Sequence, residues 1–347
     1  MEDGKRGPMV VSGPHMIASG ARIILRPLPL QRRHKLISST DLRALVLFAI
    51  YRFAACWDRP AFLSWLVAFA PIKRLGSEGK RRAAGLLAFF GDAKAPAIPA
   101  ICKDYRSGFS RHALLYAAER DGRLPGLKVS LVGDERLDAA LTAKRGALLW
   151  CDDFLFETYL TKKALKENGR AIHHVTAVGH GYSLSRAGRM LFNAWEIEVE
   201  ERYVASWLRF APGAGDDVKP RIESSLRNNQ IVSLSNNTLN GYRFIDMDIG
   251  ANAVHQIPAG PLDIALRMGT PLLPCAMIED EPFRRYRLII GADLRGAIQQ
   301  TGPMPVTNGA RAEMVENYRR WLTPLVSAYP DQWVPSQSLR RRTSDLK

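Results

Sequence analysis

The sequence predicts an α/β fold with a central, largely parallel sheet flanked by helices and preceded by an N-terminal helical hairpin. Three observations carry this. Apolar runs of strand length, Ala147 to Cys151, Ala171 to Val178, Gln230 to Leu234 and Pro271 to Met277, alternate with amphipathic stretches of helix length. The first of these runs stops on two acids, Asp152 and Asp153, just before a helical stretch, which is where open α/β folds set their chemistry. The 347 residues, 46% apolar and 24% charged, also have a globular balance and enough length for one large core.

In chain order, residues 1–40 are dominated by Gly, Pro and basic residues and read as a disordered basic segment, the run Ile23 to Leu25 being too short for a secretory h-region. From Asp41 the pattern changes. Leu42, Leu45, Val46, Phe48, Ala49 and Tyr51 recur at helical spacing behind a capping Thr40 or Asp41. A second apolar helix, Ala61 to Ile72, leads to Lys73, Arg74, Lys80, Arg81 and Arg82. Neither run reaches the ~20 uninterrupted apolar residues that spanning a bilayer requires. Residues 41–82 therefore read as a hairpin, either packed on the domain or lying on a membrane surface with its basic cluster on anionic headgroups.

Cys102 to Gly122 reads as a helix with Arg106, Arg111 and Arg120 solvated, and Val129 to Val132 as a short strand or turn. Asp134 caps a helix over Glu135 to Ala143 that feeds the central strand, and Phe154 to Leu165 follows that strand as a helix. Asp152 and Asp153 are either caps of that helix or part of a site. The next strand, Ala171 to Val178, ends on Gly179-His180-Gly181, whose glycines let the chain turn sharply and leave His180 in a loop as a candidate functional histidine or a plain turn residue. Arg186 and Arg189 are three apart and can meet one anionic group from one helix face.

Farther along, Tyr203 to Phe210 and Phe244 to Ile249 read as strands, and Val218 to Arg227 as a helix capped by Asp216 or Asp217. Pro261 opens the helix Leu262 to Met268 and Gly269 stops it. Tyr286 to Ile290 pairs as a hairpin with the strand before it, Ala310 to Ala328 is an amphipathic final helix, and residues 336–347 form a basic tail.

The formal net charge of +15 calls for an anionic partner: phospholipid, nucleic acid or an acidic carrier protein. Nucleic acid is the weakest of these, because the chain lacks basic–aromatic interleaving and any known nucleic-acid module. The four cysteines are far apart in sequence, as expected of reduced cytoplasmic thiols and not of a zinc site or disulfide framework.

Four blocks carry a family resemblance: Val132-Gly-Asp-Glu-Arg-Leu-Asp138 with Arg145-Gly-Ala-Leu-Leu-Trp150; Asn228-Asn-Gln-Ile-Val-Ser233; Ile257 to Pro274; and Tyr329-Pro-Asp-Gln-Trp-Val334. Over residues 42 to 335 the chain resembles the lysophospholipid acyltransferase superfamily, and within it the bacterial lipid A late-acyltransferase branch. The resemblance implies a glycerolipid-acyltransferase-like domain over residues 41–335. It implies peripheral attachment at the cytoplasmic face of the inner membrane, no cofactor and no metal. The expected reaction moves a fatty acyl group from acyl carrier protein or acyl-CoA to a lipid or glycolipid hydroxyl.

The family's His-x4-Asp/Glu pair falls on Asp152 and Glu157, so the spacing is kept and the histidine is not. An aspartate with an ordinary pKa near ~3.9 is a poor base for a hydroxyl. His180 is therefore the candidate replacement base, with Asp152 or Glu157 orienting its ring. The candidate substrate-binding residues are Arg186, Arg189 and Gly260, with Asn236 and Asn237, which stand where the branch often carries an acidic, histidine-containing segment. The alternative is a catalytically inactive relative that binds acyl chains or an acyl carrier as a partner or regulator.

Overall fold

The computed structural model describes residues 22–25, 36–37, 41–42, 45–46, 49, 77–124, 126–178, 181, 183, 185–211, 215–236, 243–296, 303 and 305–342. Through these the chain forms β1 (Arg22–Leu25), α1 (Ser77–Phe90), α2 (Ile98–Arg120), β2 (Lys128–Val132), α3 (Asp134–Thr142), β3 (Ala147–Cys151), α4 (Glu157–Glu167) and β4 (Ile172–Ala177). Then come α5 (Ala194–Glu201), β5 (Ser206–Phe210), α6 (Gly215–Arg227), β6 (Ile231–Ser235), β7 (Arg243–Ile249) and β8 (Ala253–Pro258). Last are α7 (Gly260–Met268), β9 (Leu272–Glu281), β10 (Arg285–Ile290), α8 (Asn308–Ala328) and β11 (Arg340–Arg341).

Seven strands build a mostly parallel central sheet in the order β2-β10-β9-β3-β6-β4-β5. From β9 to β5 all neighbours are parallel, while β10 returns antiparallel to β9 and pairs in parallel with β2. β3 is central because it is apolar on both faces and buried along its whole length. Leu148 and Trp150 join a core with α6, α7 and α8, while Ala147, Leu149 and Cys151 join a second core with α2, α3 and α4. Each large side chain buried this way contributes about 1.5–3 kcal/mol.

A four-stranded antiparallel sheet, β1-β7-β8-β11, packs its Ile245, Met247, Ile249 and Ile257 into the first core. This second sheet was not foreseen. Arg22–Leu25 and Arg340–Arg341, read as parts of a disordered segment and a basic tail, are its edge strands. β8, α1 and α5 were likewise not read from the sequence.

Other expectations are corrected. Helix α4 starts at Glu157, not Phe154, and neither Asp152 nor Asp153 caps it: Phe156 holds the N-cap position without a side-chain bond. The residues before it are drawn onto the C-terminal segment, where Phe154 bridges to Trp333, Leu155 N donates to Gln332 O at 2.9 Å and Val334 N donates to Asp153 O at 2.9 Å.

Arg111 is not solvated but donates to the buried Glu279 carboxylate, with Nε to Oε2 at 2.8 Å. Arg82, expected in a basic surface cluster, is only 2% exposed. It reaches the interior because Gly85 lets α1 lie directly on the C-terminal 3-10 turn Val334–Ser338; a Cβ there would run into the Ser336 carbonyl.

The helix read from Asp41 is present where described, at 41–42, 45–46 and 49. Its expected partner, Ala61 to Ile72, lies outside the described residues. Among the described residues no helix is long and apolar enough to cross a membrane.

Candidate functional site

At the carboxyl end of β3 the chain turns through Asp152 and Asp153 into α4. The backbone of this turn is pinned from both sides, Asp152 N to Cys275 O of β9 and Asn236 N, just past β6, to Cys151 O, each at 2.7 Å. β3 and β4 both run parallel to β6, so their carboxyl ends open on one edge of the sheet.

Asp152 follows Trp150 on the side of α8 and is 0% exposed. The Tyr318 hydroxyl donates to its Oδ2, and Trp333 Nε1 donates to Oδ1 at 3.1 Å. Tyr318 stacks on Trp150 with ring centroids 4.6 Å apart and accepts a bond from Asn236 Nδ2. Burial pushes the Asp152 carboxyl up to about 6, and the Tyr318 and Trp333 bonds keep it from rising further. Both carboxylate oxygens are thus held by protein donors.

Asp153 differs. It is half-buried, and burial, then Glu157, then Asp152 push its carboxyl up to about 8, against the pull of Arg82. Glu157, on the first turn of α4, is buried and accepts a bond from Ser235 Oγ at 3.4 Å. Arg82 sits 3.2 Å from the centroid of the Tyr105 ring and donates from Nη1 to Trp333 O at 3.1 Å and to Ser336 Oγ. Its burial lowers its own pKa.

Five residues along α4 lies a second buried polar cluster. Lys162 Nζ pairs with Glu200 Oε2 at 2.8 Å and donates to Thr158 O at 2.9 Å. Tyr116 donates to Glu200 Oε1 at 2.7 Å, and the Thr158 hydroxyl lies 2.7 Å from Tyr116 and 3.1 Å from His112 Nε2. Burial works against the Lys162 ammonium, yet Glu200 and then Glu157 outweigh it and hold its pKa above the usual value. Burial pushes the His112 imidazole down to about 4, so it is neutral near pH 7.

Of the residues expected at the site, Asp152 and Asn236 are brought together through Tyr318, and Glu157 lies beside Asp153. Arg186, exposed, and Arg189, half-buried, stand on the segment after β4 and, among the described residues, make no hydrogen bond or ion pair to the cluster that Asn236 reaches. Gly260 opens α7, with open space where a Cβ would be. His180 and Asn237 lie outside the described residues.

Three participants were missed, Arg82, Tyr318 and Trp333, and Asp153, read as a cap or part of a site, is the half-buried carboxyl of the cluster. Arg82 could have been found from its spacing to Leu86 and Phe89, which marks one buried face of α1. Trp333 lies in a block already singled out in the sequence, and Tyr318 and Leu322 lie four apart on the apolar side of α8.

At β4 and β5 a cleft of about 390 Å³ is lined by Ala177, Val178, Ala194, Ile197 and Trp207 and also by Thr176, Glu198, Glu201 and Arg209. Among the described residues no group of three or more His, Cys, Asp or Glu side chains is arranged to hold a metal ion. No family model matches the chain, and no curated protein matches it.

Proposed function

We propose that the protein transfers a fatty acyl group from a thioester, on acyl carrier protein or coenzyme A, to a lipid or glycolipid hydroxyl at the cytoplasmic face of the inner membrane, with Asp153 as the base. One observation carries the reading: of the three carboxyl-bearing residues at the end of β3, Asp153 is half-buried while Asp152 and Glu157 are buried, and burial, then Glu157 and Asp152, push its carboxyl up to about 8. A base near that value is far better matched to a hydroxyl than an ordinary aspartate.

The Asp153 carboxylate takes the hydroxyl proton as that oxygen attacks the thioester carbonyl. The tetrahedral intermediate collapses, the C–S bond breaks, and the thiolate leaves with the proton that Asp153 returns. One ester bond replaces one thioester and the carboxylate is regenerated. Asp152 holds the turn and does not touch substrate. Support comes from the family resemblance, the partly apolar cleft at β4 and β5 and the basic surplus that suits an acidic carrier.

A second reading, a non-catalytic relative that binds acyl chains or an acyl carrier as partner or regulator, is favoured by the burial of Asp152. The residue at the histidine's position has both oxygens occupied by Trp333 and Tyr318. Thiol release from acyl-CoA and acyl carrier protein, followed with lipid acceptors across neutral to alkaline pH, decides between them. The first reading expects a rate that rises with an apparent pKa near 8 and falls at least about 100-fold in Asp153→Asn. Acyl-carrier binding without any thiol release would establish the second. A transition near the ordinary histidine value, abolished in His180→Ala, would move the base to His180.

A further inference from the structure

The peptide group between Trp333 and Val334 is bonded at both ends. Its carbonyl accepts from Arg82 Nη1 at 3.1 Å, and its N–H donates to the Asp153 carbonyl at 2.9 Å. A peptide unit is planar and stiff, and the bonds at its two ends polarise one another. The same residue holds Asp152, since Trp333 Nε1 donates to Oδ1 at 3.1 Å. One guanidinium on α1 is thus linked through Trp333 to both acids of the turn after β3.

The linkage is built. The Arg82 guanidinium lies against the Tyr105 ring of α2, Nη1 also reaches Ser336 Oγ, and Gly85 lets α1 approach the 3-10 turn that carries Ser336. A neutral side chain of similar length would fill this place without burying a charge, so packing alone does not account for an arginine. Hydrogen bonding does not account for it either. Nη2 is buried with no hydrogen-bond partner among the described residues, and its 4.0 Å contact with Glu78 reaches a largely exposed carboxylate. A buried donor left unpaired costs stability. The charges and titratable groups that act on Arg82 are Glu78 of its own helix, Tyr105 and Cys102 of α2, and Asp153. On Asp153 act Glu157 of α4, the adjacent Asp152 and, against both, Arg82.

We infer that Arg82 is the positioning residue of this turn: through the Trp333–Val334 peptide it fixes the Asp153 backbone, and its charge favours the Asp153 carboxylate over the acid. Its part in the reaction rests on Asp153 being the base proposed above. Arg82 is 2% exposed and acts through Asp153, not on substrate. Glu157 and Asp152 push the Asp153 carboxyl up and Arg82 pulls it back, so removing the cation should raise its pKa.

Carboxyl NMR of the full chain, with the Asp153 signal assigned by Asp153→Asn, tests this without substrate. In the native chain the Val334 amide and the Arg82 guanidinium nitrogens are expected to shift with pH at the Asp153 midpoint. Arg82→Gln and Arg82→Met, each checked by circular dichroism, should raise that midpoint by about one pH unit. Arg82→Lys keeps the charge and should undo most of the rise. Arg81→Gln, at the exposed neighbouring position, should leave the midpoint unchanged. In thiol release the neutral variants should move the rising limb by the same interval, a fall of about tenfold at pH 7.

The inference is overturned if the native Val334 and Arg82 nitrogens do not follow Asp153. It is equally overturned if Arg82→Gln lowers stability while the Asp153 midpoint stays in place, which is a structural role alone. The native titration decides the matter even if both neutral variants unfold. A midpoint that moves while the rising limb of thiol release stays put would instead overturn Asp153 as the base and leave Arg82 as the residue that sets its charge.

Discussion

Helix α4 joins two buried polar clusters that solve the cost of burial differently. Around Lys162 the charges balance: one ammonium faces the Glu200 carboxylate, and Thr158 O and Tyr116 supply further bonds. Around Asp153 they do not. Asp153, Asp152 and Glu157 crowd one turn, with Arg82 as the nearby cation, and protonation relieves the excess. A balanced cluster is fixed in its charge state and serves the fold, whereas an unbalanced one holds a proton that can move near neutral pH.

The largest expected effect comes from unbalancing the first cluster. Lys162→Met strands a buried Glu200 carboxylate and should cost about 3–5 kcal/mol in urea unfolding, with much of that recovered by adding Glu200→Gln. If the single substitution proves mild, the pair is not holding the helix.

Relieving the second cluster should work in the opposite direction. The folded state keeps the Asp153 proton up to about pH 8, while the unfolded chain releases it near the ordinary aspartate value. This group's stabilisation is therefore full at pH below about 4 and is lost as pH rises towards 8. Asp153→Asn should accordingly stabilise the protein by about 2 kcal/mol at pH 8, an amount discounted for partial exposure, and by nearly nothing at pH 4. A stabilisation independent of pH would show that Asp153 is not carrying the proton.

Tyr318→Phe removes one donor to Asp152 without changing the shape of the core. It should cost about 1.5 kcal/mol and raise the Asp152 pKa above its value of about 6, visible by carboxyl NMR. The smallest effect is expected at His255, which is buried edge-on to Trp333 with no hydrogen-bond partner on Nε2 among the described residues. His255→Phe should change stability at neutral pH by no more than about 0.5 kcal/mol. Burial pushes His255 down to about 3, so its contribution is full above the ordinary histidine value and is lost as pH falls towards 3. The phenylalanine variant should therefore lose less stability on acidification.

Periodicity and local chemistry were enough to read β3, β4, β6 and the pairing of β9 with β10, because a run such as Ala147 to Cys151 is apolar on both faces whatever surrounds it. The start and stop of α7 were legible for the same local reason, with Pro261 near its first turn and Gly269 just past its end. The position of the carboxyl cluster was legible too, since acids after a buried strand must emerge at a sheet edge.

The state of the site was not. Asp152 is neutral or charged according to Tyr318 and Trp333, which lie 166 and 181 residues away in sequence. The same distant segment delays α4 to Glu157, and the burial of Arg82 depends on Gly85 meeting Ser336. Hydrophobic periodicity is a property of neighbours along the chain, whereas desolvation and charge pairing are set by neighbours in space. The sequence therefore determined where carboxyl groups would gather, and only the tertiary structure decided which of them is sealed by donors and which is left to hold a proton.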